Sequence, residues 1–288
     1  MSPLMRKQLA GYSGARLFLM SNPDGGYFVR KQASNADHNQ RLRRQMEKQE
    51  FVHALPGRPF GIPKVHGCGE EGGHFFYDME FIDGMDAPTS LATTGLAEIR
   101  DVSDQIVRLL KFFASQPPFD AGNPDIFTVL ARRVLAVTRR DLGLPPADAI
   151  RILEGLDELA NSGSCQATLC HGDLSLENMI ISRSGQLLLV DLLDAPLCHY
   201  WQDVAKLFLD LDGHWYARRY PRISEWTVAA LRERVLAVMS ERAKDYLKYH
   251  AVLVAVNFVR ILPYATSAAD RGLLLQGIHR ALHSPSRF

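Results

Sequence analysis

The pattern of apolar and polar positions changes character once along this chain. Up to about residue 82, apolar residues come in short β-prone runs. "ARLFLM" (15–20) and "YFVRK" (27–31) flank "SNPDGG", a cluster of turn formers, and the three pieces predict a hairpin. "NADHNQRLRRQMEKQEFVHAL" (35–55) is polar and lacks Pro and Gly. Its Leu42, Met46, Phe51 and Leu55 stand at roughly helical spacing, with Asn35 or Asp37 available as a cap. "KVHGCGEEGGHFFYDMEFI" (64–82) predicts a second hairpin turning at Glu70–Gly73. "DGMDAP" (83–88) is a break rich in turn formers. After it, helical periodicity dominates, over about 96–116, 124–141, 147–161, 225–242, 244–262 and 269–283. Two short apolar runs, Met179–Ile181 and Leu187–Val190, interrupt those helices on either side of Ser184-Gly185.

The pattern predicts an α+β chain of two lobes. Residues 1–82 form a small antiparallel-sheet lobe with one helix, and residues 83–288 a larger, mainly helical lobe. A cleft is expected between them, a common place for ligand sites. There is no internal repeat and no low-complexity linker.

Composition changes this picture little. A chain of 288 residues with 47% hydrophobic and 23% charged residues is long enough for such an arrangement, and it excludes a disordered or fibrous chain. A formal net charge of +1 directs it to neither nucleic acid nor an acidic membrane. No apolar run reaches the roughly 18 residues of a membrane span, and the N-terminal stretch lacks a signal-peptide core, so a cytoplasmic protein is expected. The four cysteines form no C-x-x-C pair and are expected free.

The chemistry concentrates in "CHGDLSLENMIISRSGQLLLVDLLD" (170–194). Carboxylates and an amide stand just outside both apolar runs, where an ionised group is costly unless something pairs with it. Asn178 follows Asp173 by five positions, and Asp191 follows Asn178 by thirteen, with a hairpin between that brings Asn178 and Asp191 side by side. Mg²⁺ takes oxygen ligands and usually binds one or two carboxylates plus substrate phosphates. Asn178 and Asp191 suit that ion, leaving Asp173 to accept the proton of an attacking hydroxyl. Taken singly, each of these residues also fits an ordinary cap or turn.

"HGDLSLEN" followed by "LLLVDLLDAP" resembles the aminoglycoside phosphotransferase and choline kinase group, small-molecule kinases with a protein-kinase-like fold. The resemblance covers most of residues 10–212. It implies ATP and Mg²⁺ as cofactors and a small-molecule hydroxyl as acceptor, with Asp173 as base. Gly172 replaces the Arg of H-R-D, as in that group. His171 is implied as loop support, Asp203 in "WQDVAKLFLDL" (201–211) as a structural Asp, and Asp194 as either a substrate contact or a helix cap.

A site of this kind also needs a lysine for the phosphates and a helix glutamate to hold it. Strand alternation puts Tyr27, Val29 and Lys31 on one face, so Lys31 is the expected lysine and Val29 the residue over the base; a one-residue slip would bring Arg30 instead. "RLRRQMEKQEF" resembles the corresponding helix of the group with Glu47 in the expected place, and Glu50 is the alternative. Backbone amides of Tyr12, Ser13 and Gly14 are expected to cradle phosphate. "YDMEFIDG" (77–84) looks like the hinge, with Met79, Glu80 and Ile82 about the adenine.

For the acceptor, His199, Trp215 and Arg218 join Asp194 as candidate lining. The arginines of "DGHWYARRYPR" (212–222) favour a sugar-like or anionic substrate over a cationic aminoglycoside. Two other readings remain at this point. A protein kinase lacks support because no D-F-G, A-P-E or long activation segment follows Asp191. A nucleotide-binding pseudokinase or scaffold, in the style of proteins encoded with surface-polysaccharide enzymes, does not need the full set of Lys31, Asp173, Asn178 and Asp191.

Overall fold

A computed structural model describes residues 4–9, 15–22, 24–118, 126–162, 167–193 and 199–283. The first predicted hairpin is present: β2 (Ala15–Ser21) and β3 (Tyr27–Ala33) pair antiparallel with Leu17 opposite Lys31 and Leu19 opposite Val29. Gly25 closes the turn at a φ of 90°, a left-handed conformation that glycine adopts without strain. The second hairpin joins β4 (Val65–Glu71) to β5 (His74–Glu80), and β5 lies against β3. A strand that the sequence pattern did not predict, β1 (Leu4–Leu9), adds to β2 and completes a five-stranded antiparallel sheet in the order β1-β2-β3-β5-β4.

Helix α1 (Asn39–Ala54) lies on this sheet and buries Leu42, Gln45, Gln49 and Val52. Leu42 joins Ala33, Phe75 and Tyr77 in a small core between helix and sheet. The buried face is phased differently from the predicted one, and Phe51 is 50% exposed.

Next comes a second, three-stranded sheet. Its strands are β6 (Gly84–Asp86), β7 (Met179–Ser182) and β8 (Leu187–Leu189), in that order. The stretch predicted as a plain break thus supplies a strand, and Asp86 then caps α2 (Ala87–Thr93) by accepting from the Thr89 N–H at 2.9 Å. The remaining helices are α3 (Leu96–Ala114), α4 (Ile126–Arg139), α5 (Pro146–Asn161), α6 (Tyr200–Leu211), α7 (Glu225–Arg242), α8 (Lys244–Ile261) and α9 (Ala268–His283). In α8, every residue from Leu253 to Val259 is buried, so it runs through the core of the helical part with α6, α7 and α9 around it.

The segment after α1 ties the first sheet to the second. The Gly61 N–H donates to the Leu187 carbonyl at 2.8 Å, and the Leu189 N–H donates to the Gly61 carbonyl at 3.0 Å. A Cβ at position 61 would lie 2.6 Å from Leu188 Cγ, a branch point that cannot swing aside. Gly61→Val is expected to destabilise the protein by about 1–3 kcal/mol, read as a lower urea midpoint. Pairing it with Leu188→Ala should recover part of that loss.

Candidate active site

Lys31 points from β3 into the space between the sheet and α1, with its side chain 2% exposed. Its Nζ donates to Asp191 Oδ1 at 2.5 Å and to Gln45 Oε1 at 3.0 Å. Burial works against this ammonium, but Asp191 more than offsets it, and the group titrates above the ordinary lysine range. Arg30 is committed to the opposite face, where it bonds Asp78 at 2.8 and 2.9 Å and lies over Phe76. The strand register is therefore the one that makes Lys31 the inward cation.

The helix partner of Lys31 is not the expected one. Gln45 makes the contact, while Glu47 and Glu50 are exposed. Residues 45 and 47 lie about 200° apart around a helix. Once Leu42 and Val52 face the sheet, position 45 goes inward and position 47 outward. Gln49 sits one turn on from Gln45, accepts from the Tyr77 hydroxyl at 3.3 Å and donates to the Pro63 carbonyl at 2.8 Å.

Asp191 follows β8 and takes a φ of 60°, unusual for a residue with a Cβ. Asn178 ends the 3-10 turn before β7. Its carbonyl accepts the Val190 N–H at 3.0 Å, so the hairpin does hold positions 178 and 190–191 side by side. The Asn178 amide nitrogen donates to the Asp173 carbonyl at 2.9 Å.

The loop 170–175 and the start of the 3-10 turn at Leu176 have no ladder of their own, and α6 supplies carboxylate acceptors to several of their N–H groups. Asp203 accepts the N–H groups of His171 at 2.5 Å and Gly172 at 2.8 Å. Seven residues on, and so on the same face, Asp210 accepts the Leu176 N–H at 2.8 Å and the Tyr216 N–H at 3.1 Å. Burial raises both carboxylates, Asp203 to about 6 and Asp210 to about 7, despite the N–H groups that lower them. Between them, Lys206 reaches Asp173 Oδ1 at 2.9 Å. Burial alone would raise Asp173, but Lys206 and then Arg260 outweigh it and hold the carboxylate below its usual range. Lys48 of α1 crosses to the same region and donates to the carbonyls of His171 at 3.2 Å and Leu193 at 2.8 Å.

Sequence reading missed Gln45, Lys48, Lys206 and Asp210. The last two carried a signal: they are polar residues on one face with Asp203 in a helix whose other positions are mostly apolar.

Of the remaining expected residues, Val29 is buried and stands opposite Met79, on the face that also carries Lys31 and Tyr77. The Glu80 N–H donates to the Lys64 carbonyl at 2.8 Å, and Ile82 lies in the connector between β5 and β6. Tyr12, Ser13, Gly14 and Asp194 lie outside the described residues.

His199 is not free to line a cleft. It is the N-cap of α6, its Nδ1 accepts the Trp201 N–H at 3.1 Å, and it is buried. The position before a helix needs an acceptor, which the ring supplies. Arg218 lies over the Trp215 ring and pairs with Asp270 at 3.3 Å, while Arg219 pairs with Glu177 at 3.1 Å. The expected basic wall is thus largely spent on carboxylates. The expectation of free cysteines holds for Cys68 and fails for Cys170, which is disulfide-bonded.

The family model described as APH, phosphotransferase enzyme family, matches residues 6–233. The chain belongs to this family. It is a phosphotransferase. No curated protein matches it. Among solved structures, it is similar to a thermostable mutant of the aminoglycoside phosphotransferase APH(4)-Ia in a ternary complex with ADP and hygromycin B. That similarity has a TM-score of 0.65 and 12% identity, covering 98% of this chain and 94% of the other. The GDP and kanamycin complex of APH(2")-IIia gives a TM-score of 0.63 at 16% identity, over 97% and 91% of the two chains. An amicoumacin kinase bound to AMP-PNP, Ca²⁺ and Ami gives 0.58 at 12% identity, over 96% and 87%. At these identities the likeness establishes the protein-kinase-like fold. Among the described residues, no helix is long and apolar enough to cross a membrane.

The histidine of this site makes a definite prediction. His171 is fully buried, its Nε2 lies 2.9 Å from the Val190 carbonyl, and its Nδ1 accepts the Asp173 N–H at 3.3 Å. Only the neutral Nε2–H tautomer satisfies both contacts. Burial, helped by Lys48, pushes its pKa from 6.5 down to about 4. The stability it contributes is therefore present above pH 6.5 and lost as pH falls to about 4. Two-bond proton–nitrogen NMR should find this neutral tautomer unchanged from pH 8 to about 5; titration near 6.5 would contradict it.

Proposed function

We propose that the protein moves the γ-phosphate of ATP to a hydroxyl of a polar small molecule, with Asp173 as the catalytic base. The observation that carries this reading is the convergence of Lys31, Asp191, Asn178 and Asp173 from three separate stretches of chain. The acceptor O–H would give its proton to Asp173 as its oxygen bonds to the γ-phosphorus. The bond to the bridging oxygen then breaks and ADP departs. The nucleotide complexes among the similar structures support nucleotide use, and the small polar molecules bound in them support an acceptor of that kind.

Two of these side chains suit Mg²⁺. Asp191 keeps its carboxylate 28% exposed beside Lys31, and Asn178 has its amide nitrogen engaged, which leaves its oxygen for a cation. When bound, Mg²⁺ would neutralise charge on the phosphate oxygens. On this reading Lys31 turns from Asp191 to the phosphates. Val29 and Met79 flank the adenine, and the backbone near Glu80 and Ile82 meets its edge. Tyr12, Ser13 and Gly14 are assigned to the phosphates and Asp194 to the acceptor. The lobe boundary falls at residues 82 and 83, in the connector between β5 and β6.

The acceptor is a hydroxyl compound of sugar or amino-sugar type. The pairing of Arg218 and Arg219 with acids removes the reason to favour an anionic one. A screen of sugars, amino alcohols, nucleosides and aminoglycosides tests the class.

Lys206 has two roles here: it holds Asp173 in place and keeps it ionised. Asp173→Asn is expected to lower kcat by about 10²–10⁴-fold with nucleotide affinity little changed. Lys206→Ala leaves burial less opposed, so the Asp173 pKa rises and the acid limb of the kcat–pH profile moves to higher pH. An unshifted limb, or full activity in Asp173→Asn, would remove the role assigned to Asp173.

A further inference from the structure

We propose that Asp148, His279 and His283 form a binding site for a divalent transition-metal ion of the zinc class. None of the three belongs to the set around Asp173 and Asp191. Asp148 sits in the first turn of α5, and the two histidines are four apart, hence on one face, in the last turns of α9. Their rings lie side by side, with centroids 4.4 Å apart. One donor atom from each residue falls within 4.8 Å of the other two.

The cluster has a second, independent mark. The Asp148 side chain is 4% exposed, and its Oδ2 is buried with no hydrogen-bond partner among the described residues. Leaving such an oxygen unpaired costs on the order of 1–3 kcal/mol. Oδ1 is satisfied by His283 Nε2 at 2.8 Å, while His279 Nδ1 stands 3.9 Å from Oδ2, too far for a hydrogen bond. A cation between the three would satisfy the stranded oxygen.

The donor set selects the ion. Two imidazoles and a carboxylate suit zinc and its neighbours in the transition series, whereas Mg²⁺ and Ca²⁺ favour oxygen alone. Bond lengths of about 2.0–2.2 Å place tetrahedral donors roughly 3.3 Å apart. The adjustment to that spacing falls to the two histidines, whose side chains are 66% and 38% exposed. Three protein ligands leave a position for water. Bound metal would clip the C-terminal end of α9 to the start of α5.

Arg151 sets the sign of one test. Its guanidinium lies 3.4 Å from His283 Nδ1, where it donates to the ring nitrogen. Metal on Nε2 requires the proton on Nδ1, so this contact opposes metal binding, as does the arginine's charge.

The experiment uses untagged protein, stripped with a chelator and kept in excess Mg²⁺ so that the phosphotransfer site is filled. Zn²⁺ is titrated by calorimetry and Co²⁺ by visible absorption. One equivalent of Zn²⁺ should bind, raise Tm by linkage and give Co²⁺ tetrahedral bands. His279→Ala and His283→Ala should each weaken binding by about tenfold or more, since loss of even an outer partner costs that much. Arg151→Gln should tighten it several-fold. These surface variants avoid the folding risk of changing buried Asp148. Absence of saturable Zn²⁺ binding, or binding untouched by both histidine variants, would overturn the proposal.

Discussion

The structure depends on how one irregular loop gets its hydrogen bonds. Residues 170–175 run through a buried region, yet they form no helix or strand, and a buried N–H without a partner costs about 1–3 kcal/mol. Helix α6 supplies the acceptors from a single face, Asp203 to His171 and Gly172, and Asp210 to Leu176. A carboxylate can take two N–H groups at once, which neither an amide nor a hydroxyl does as well. That economy explains why two acids lie buried in a mostly apolar helix. It also fixes Asp173, which rides on the same loop and meets Lys206 from the same helix.

The arrangement holds charge where charge is expensive. Lys31 and Asp173 each lie where burial disfavours ionisation, and each keeps its charge because a partner outweighs that penalty. Cations reach the region from the sheet through Lys31, from α1 through Lys48 and from α6 through Lys206. Each of these cations is held in place beforehand, Lys31 and Lys206 by an acid and Lys48 by two carbonyls.

Much of this was legible in the sequence, for reasons that differ by residue. The hairpin between Asn178 and Asp191 was readable because its strands are apolar and its turn carries Ser184-Gly185, so the distance between two polar residues became a geometric statement. Lys31 followed from strand alternation. The α1 partner was not legible, because the helix is mostly polar and its few apolar positions admit more than one phase. The resemblance pointed to Glu47, whereas Leu42, Gln45, Gln49 and Val52 define the buried face and turn Glu47 outward. His199 was misjudged because a polar aromatic residue before a helix looks alike whether it binds a ligand or caps the helix. β1 lay beyond reach, since an edge strand with three consecutive polar residues, Arg6-Lys7-Gln8, shows no period-2 core pattern.

The substitution of Gln45 for an expected acid has a consequence for the resting site. A glutamate on α1 would hold Lys31 permanently, and the lysine would share its charge between that acid and any phosphate. Gln45 is neutral, so the carboxylate that Lys31 bonds is Asp191. Asp191 follows β8 of the second sheet and keeps its side chain 28% exposed, which suits it to a cation on the proposed reading. On the proposed reading, an arriving phosphate takes over Lys31 and Asp191 is released in the same exchange. The local charge stays balanced, because one anion replaces another at the lysine while the freed carboxylate becomes available to a cation. Gln45 orients Lys31 through its amide oxygen at 3.0 Å, without competing for the charge. The Lys31–Asp191 pair thus adds a charged contact to the backbone bonds that Gly61 makes with Leu187 and Leu189.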